Sequence, residues 1–421
     1  MRRLLSWLTG KRTPSTEQNP AAGEADSPAR GNTRFALDLY LQLKDYAGPY
    51  ENALCSPFGV ALSLALAQAG AHGRTAKQLT RVLESASAEK RWQAELRGLR
   101  DRLLAGAGRD EYLLELANGL WAPAGPPLLK EFSDAVARPY GADLKQADFA
   151  QEESARTLIN QWMGERTRQL FHAVVARGDL TPETQLVLIN ATCFKGFWAK
   201  SFHAQQTLEE PYWVNPHTKI VTSMMRQRGT FPYHQGPFHF ADQVQVLELP
   251  YADGELAMVF LLPEGLEGII ELERTLERQK GKLDTWLGAL RSQEIDVVLP
   301  KFTVGSRFQC ADGLAEMGVA DAFSREDADF SGMRPDGGLF LSHMFHQALV
   351  AIDEFGATDE AAVSGGDSPA RETGKTPPRP VPMFRADHPF LFLIRQRVSG
   401  RILFMGRVMV PTVAQKFTPV L

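Results

Sequence analysis

A catalytic site needs a nucleophile beside a base, paired acid groups or a clustered set of metal ligands. The nearest approach in this chain is His343-x-x-His346, which could ligate zinc on a helix, where a three-residue spacing shares one face. The surrounding run Leu341 to Ile352 predicts a strand instead, and residues three apart on a strand point to opposite faces. With no third ligand at usable spacing, the expected role is that of a structural histidine hydrogen-bonded in or beside a sheet. Gly374-Lys375-Thr376 resembles the end of a phosphate-binding loop, but the required earlier glycine falls at Pro369. Neither a Gly-x-Ser-x-Gly elbow nor a Gly-x-Gly-x-x-Gly after a strand occurs. Asn190-Ala191-Thr192 matches a glycosylation acceptor, yet it sits between Leu186–Ile189 and Phe194, where a sheet would bury it as a core polar group. His234 and His239, among Pro232, Gly236 and Pro237, read as loop residues. The expectation is a protein that is not an enzyme and holds neither cofactor nor metal.

The most unusual feature is a loop. A strand ending in Ile352-Asp353-Glu354 runs into Gly356 and then about 25 residues with no apolar cluster. Ser364 to Pro382 carries Gly365, Gly366, Gly374, Pro369, Pro377, Pro378, Pro380 and Pro382, which predicts a mobile, exposed segment. Arg371, Lys375 and Arg379 make it attractive to a protease that prefers basic residues, with a passive linker as the alternative.

The elements that must hold this loop follow from periodicity. Residues 1–31 read as a disordered arm, because Gly10 to Gly31 has almost nothing to bury. Helical spacing appears in Phe35 to Leu43, in Leu62 to Ala69, after a predicted N-cap at Thr75, and in Ser154 to Arg168. After about residue 185 short β-rich runs take over: Leu186 to Phe194, Val244 to Tyr251, Leu256 to Leu262, Val297 to Phe302 and Ala348 to Ile352. Phe390 to Gln396 and Arg401 to Val410 flank a Ser399-Gly400 turn as a hairpin would. Helices cluster early and strands late with no internal linker, so one α+β domain over 32–421 is expected. Forty-six basic against fifty acidic residues give a net charge of −4, which argues against nucleic acid as a partner. Cys55, Cys193 and Cys310 cannot all pair, and a disulfide framework is not expected. No stretch approaches the roughly 20 apolar residues of a membrane span, and the apolar stretch before Lys11 is too short to read as a cleavable signal.

Several separated segments together resemble the serpins, a family made up mostly of serine-protease inhibitors that act by conformational change. They are Asn32-Thr33-Arg34-Phe35-Ala36, Asn52 to Pro57, Leu186 to Ala191 with Phe194-Lys195-Gly196-Phe197-Trp198, Asp329 to Met333, His346-Gln347-Ala348, Ala386 to Phe392 and Leu403 to Val408. The resemblance implies helices mainly in the N-terminal part, a large central β-sheet with smaller sheets, and an exposed reactive loop at about 355–383. It implies that Ser56, Asn190 and His346 form a polar cluster controlling sheet opening, with Trp198 where the loop first inserts. Glu354, Gly356, Ala357 and Thr358 would be the hinge. The partner would be a serine protease, trypsin-like if Arg371-Glu372 is the scissile pair. Counting from the two ends of the loop also admits Ala370 and Arg379, and Lys375 is a further candidate. A monomer that binds neither membrane nor nucleic acid is implied, in an extracellular setting, with a cytoplasmic one as the alternative for want of an export signal.

The chain departs from the family where it matters. Inhibitory members follow the hinge glycine with Thr and a run of alanines, whereas here Gly356-Ala357-Thr358-Asp359-Glu360-Ala361-Ala362-Val363 brings two acids. Strand alternation turns one of them inward on insertion. An unpaired buried carboxylate costs on the order of several kcal/mol, which slows insertion. A non-inhibitory serpin-fold binding protein or plain protease substrate is therefore the second reading.

Overall fold

The computed structural model describes residues 28–83, 89–107, 112–240, 242–355 and 380–412. Two apolar strand types organise them. Leu256–Pro263 and Ile402–Val408 are buried at every position and need cover on both faces, whereas Phe302–Gln309 is buried only in part.

In chain order the N-terminal part gives α1 (Pro28–Ala47), β1 (Ala53–Cys55), α2 (Pro57–Gln68), α3 (Gly73–Val82), α4 (Glu89–Ala107), β2 (Tyr112–Pro123), α5 (Lys130–Tyr140), β3 (Ala142–Ala147) and α6 (Glu152–Arg166). Then follow β4 (Leu186–Gly196), β5 (Leu208–Asn215), β6 (Thr218–His239), β7 (Asp242–Pro250), β8 (Leu256–Pro263), α7 (Gly268–Arg278) and α8 (Lys282–Ala289). The chain closes with β9 (Arg291–Pro300), β10 (Phe302–Gln309), β11 (Leu341–Ile352), β12 (Met383–Arg385), β13 (Phe390–Gln396) and β14 (Ile402–Val408).

These strands make two sheets. A nine-stranded sheet runs β1-β14-β13-β8-β7-β6-β9-β12 with β5 on β6, and a five-stranded sheet runs β10-β11-β4-β2-β3. Helix α2 joins them. It begins at Ser56, whose hydroxyl accepts from the Gly59 N–H at 3.1 Å, has Pro57 in its first turn, and is buried along its whole length in the core the two sheets share. The opposite face of the five-stranded sheet is covered by α6, where Trp162 meets Trp121 edge to face at 5.9 Å, beside Ile159, Ile189 and Phe345.

Several expectations are corrected. Residues 1–27 of the expected arm lie outside the described residues, and α1 starts at Pro28, a residue suited to a first helical turn. Thr75 is not an N-cap: His72 holds the N-cap position of α3 without a side-chain capping bond, and Thr75 lies buried inside the helix, accepting the Asp329 N–H at 3.0 Å. Val297 to Phe302 is not one strand but the junction of β9 and β10. Met383, at the end of the loop expected at about 355–383, pairs with Asp296 of β9. His234 and His239 belong to β6, not to a loop. Its prolines are tolerated because Pro232 pairs only with β9 and Pro237 only with β7, so each missing N–H can face the side that has no strand. All three cysteines are free and buried.

Gly406 shows how closely β1 and β14 approach: a Cβ there would lie 2.5 Å from the Ala53 carbonyl oxygen. Gly406→Ala is expected to lower stability by about 2 kcal/mol, the usual cost of overpacking a core. A thermal midpoint unchanged from the parent would contradict this packing.

Candidate functional site

The five-stranded sheet contains an unusual seam. β4 and β11 run parallel, from the pair Leu341–Leu186 to the pair Val350–Phe194, while their outer neighbours β2 and β10 are antiparallel to them. Beyond Val350 the two strands part. Lys195 and Gly196 pair only with β2, and Ala351 and Ile352 only with β10. The seam therefore opens at the end where the chain leaves β11 at Glu354. Parallel pairing is slightly weaker per residue than antiparallel. A segment turning back from β11 into the seam would run antiparallel to both walls, replacing one parallel ladder with two antiparallel ones.

Midway along the seam, Asn190 of β4 stands directly opposite His346 of β11. The Ser56 N–H donates to His346 Nε2 at 2.9 Å, which leaves the ring proton on Nδ1, from where it donates to Asn190 Oδ1 at 2.8 Å. The Ser56 hydroxyl donates to the Leu403 carbonyl at 2.8 Å. Asn190 Nδ2 donates to Asn118 Oδ1 at 2.6 Å, an oxygen that also accepts from the Ser63 hydroxyl at 3.0 Å, and the Thr192 hydroxyl donates to Asn190 Oδ1 at 3.2 Å. The structure thus brings Ser56, Asn190 and His346 together and ties both sides of the seam to the cap of α2. Burial pushes the His346 imidazole down to about 3, so it stays neutral at ordinary pH.

Sequence reasoning missed Asn118, Ser63 and Gly59 as members of this cluster. Their signal was a polar residue inside the apolar run of β2 and a glycine in the first turn of a helix, where it costs stability. Gly59 is needed because a Cβ there would come within 2.6 Å of Thr192 Oγ1 and closer still to Asn190. The acceptor triplet Asn190-Ala191-Thr192 is buried as expected. His343 stacks on Phe345 at 5.4 Å, on the α6 side of the sheet, while His346 faces α2, so the two imidazoles do not converge. Among the described residues no group of three His, Cys, Asp or Glu side chains could hold a metal.

Trp198 is not part of that cluster but of the open end. It is buried, stacks on Tyr251 at 4.8 Å, donates from Nε1 to the Asp353 carbonyl at 2.8 Å, and donates from its backbone to the Phe355 carbonyl at 3.1 Å. Glu354 is held by Lys301 at 2.7 Å and by the Thr207 hydroxyl at 2.8 Å, and the Phe202 N–H donates to its carbonyl. Burial alone would raise the Glu354 carboxyl, but the Lys301, backbone and Thr207 hydrogen bonds hold it below the usual carboxylate range. Gly356, Ala357, Thr358, Asp359 and Glu360, and the scissile candidates Ala370, Arg371, Glu372, Lys375 and Arg379, lie outside the described residues.

A family model described as Serpin (serine protease inhibitor) matches residues 30–411. Leukocyte elastase inhibitor of Homo sapiens is 36% identical over 391 residues, covering 90% of this chain and 98% of that protein. Serpin B3 of Homo sapiens is 33% identical over 407 residues, covering 92% and 100%. Among solved structures, uncleaved ovalbumin superposes with a TM-score of 0.79 at 27% identity over 92% of this chain and 100% of that one. Maspin superposes with a TM-score of 0.79 at 28% identity over 91% and 98%. Among the described residues no helix is long and apolar enough to cross a membrane.

The neutral His346 carries a pH dependence. In the unfolded chain an imidazole takes its proton near 6.5, but in the fold only near 3, so the unfolded state binds more protons between those values. Its contribution is complete above about pH 6.5 and is lost on acidification, at up to about 1.4 kcal/mol per pH unit. Melting curves from pH 7.5 to 5 are expected to fall more steeply for the parent than for His346→Gln, and equal slopes would contradict a neutral, buried His346.

Proposed function

The chain belongs to the serpin family, whose α+β fold it has, and from that premise we propose that it inhibits a serine-type endopeptidase by suicide-substrate loop insertion. The observation that carries this reading is the parallel seam between β4 and β11, open at the end where the chain leaves β11. The reactive loop is assigned to about residues 355–383 and the hinge to Glu354, Gly356, Ala357 and Thr358. The protein acts as a monomer and without a cofactor.

The protease serine Oγ attacks the carbonyl carbon of the loop residue before the scissile bond, the peptide C–N bond breaks, and the departing amine takes a proton. An ester then links the protease to the N-terminal part of the loop. Release of the C-terminal part frees residues from 357 onward to enter the seam as a strand. The seam spans β11 positions 341 to 350, which at about 3.3 Å per residue carries the tethered protease on the order of 30 Å. Inhibition results where insertion outruns hydrolysis of the ester. Arg371-Glu372 is the preferred scissile pair and implies a trypsin-like target. Ser56, Asn190 and His346 re-pair as the sheet opens, and Trp198 releases the chain at the entry point.

Asp359 and Glu360 favour the second reading, a protein of the serpin fold that binds a partner or is simply cut. The α2-facing residues along the upper part of the seam, Thr192, Phe194, Ala348 and Val350, are neutral and buried. A carboxylate entering there meets at most a hydroxyl, at a cost on the order of several kcal/mol.

Incubation with trypsin near equimolar ratio is expected to give an SDS-stable complex and a released fragment beginning at Glu372, read by intact mass. Cleavage without complex, and with an unchanged melting temperature, would overturn the inhibitory reading in favour of the second. Replacing both acids, Asp359→Ala with Glu360→Ala, is expected to raise the ratio of complex to cleaved protein at least about tenfold, the equivalent of about 1.4 kcal/mol. An unchanged ratio would show that the inward carboxylate is not what slows insertion.

A further inference from the structure

Three groups at the open end of the seam stand apart from the polar cluster and from the Glu354–Lys301 pair. Lys195, on the β4 side, reaches across to the chain that follows β11. Its ammonium lies 2.6 Å from Asp353 Oδ2 and 5.3 Å from the centre of the Phe355 ring. The other carboxylate oxygen, Asp353 Oδ1, accepts the Phe355 N–H at 3.1 Å. One cation thus ties β4 to two groups beyond β11, at the level where no ladder joins the two strands. The Lys195 and Asp353 side chains are only 20% and 19% exposed, where an ion pair is screened less than at the surface. Phe355, by contrast, is a large apolar residue left 47% exposed, and its ring is placed over the ammonium.

Resting on the insertion reading above, we propose that Lys195, Asp353 and Phe355 form a staple that sets how fast the seam opens, with Lys195 as its positioning residue. A strand entering from 356 has to pass between Lys195 and the chain beyond β11, so the ion pair and the ring contact break before the first new ladder bonds form. The staple is present in the closed sheet and absent once a strand is inserted. Its loss accelerates opening and leaves the stability of the inserted form unchanged, as for any contact absent from both the transition state and the product.

The test needs no protease. The intact full-length protein is mixed with a synthetic peptide of residues 357–368 carrying Asp359→Asn and Glu360→Gln, and the gain in melting temperature is followed with time. Lys195→Met is expected to take up the peptide about fivefold faster than the parent, the rate equivalent of about 1 kcal/mol. Phe355→Leu is expected to be about twofold faster, Lys195→Arg close to the parent, and the Lys195→Met, Phe355→Leu double variant no faster than Lys195→Met alone. All the peptide complexes are expected to melt alike. Parent and variants with equal uptake rates would overturn the staple while leaving insertion standing. A parent that never takes up the peptide, and gains no stability when its own loop is cut, would overturn insertion itself and the staple with it. Should Lys195→Met fail to fold, Phe355→Leu carries the test, because its ring is half exposed and outside the core.

Discussion

The parallel pairing of β4 with β11 is the constraint on which the rest of the molecule depends. Each of these strands has an antiparallel neighbour on its outer side, and they meet each other in the less favourable orientation, with no pairing over the last residues before the chain departs. A sheet built this way is complete yet improvable: one more strand of the right direction would add an antiparallel ladder on each side. The chain that leaves β11 has that direction on turning back. On the proposed insertion mechanism, stored free energy would need no strained backbone, only a pairing that folding reaches first and that covalent connection keeps from being improved.

Two sets of contacts hold the seam closed, and they differ in kind. In the middle, neutral hydrogen bonds from Ser56, His346, Asn190 and Asn118 bind both walls to the cap of α2. Being buried, these groups need partners in either state of the sheet, which makes the cluster costly to leave half-paired and able to discriminate between two arrangements. At the open end the contacts from the β4 side are charged and aromatic: Lys195 with Asp353, and Trp198 against the carbonyls of Asp353 and Phe355. The Lys195–Asp353 pair is partly solvated, whereas Trp198 is buried. The buried core under α2 and the covering helix α6 give both sets a rigid frame.

Much of this was legible in sequence. Asn190 and His346 are polar residues within apolar β runs, and that mismatch marks them before any fold is known. Ser56 before Pro57 announces a helix cap. Asn118 carries the same kind of signal but lies in β2, a strand in a region dominated by helical periodicity. β6 was hidden by its prolines and glycines, whose effect on strand pairing depends on which side has a neighbour, something only the three-dimensional arrangement reveals. Lys195 illustrates the limit from the other direction: its place in the Phe-Lys-Gly segment is visible, but its reach across the seam to Asp353 and Phe355 depends on two strands that are distant in sequence lying side by side.

The account is tested most directly by a crystal structure of the protein after cleavage of its loop. It predicts that β4 and β11 no longer pair, that their separation grows from one strand spacing of about 4.8 Å to two, about 9.6 Å, and that residues from 357 onward run between them antiparallel to both. A cleaved protein in which Asn190 still stands opposite His346, with the cut segment outside the sheet, would contradict it.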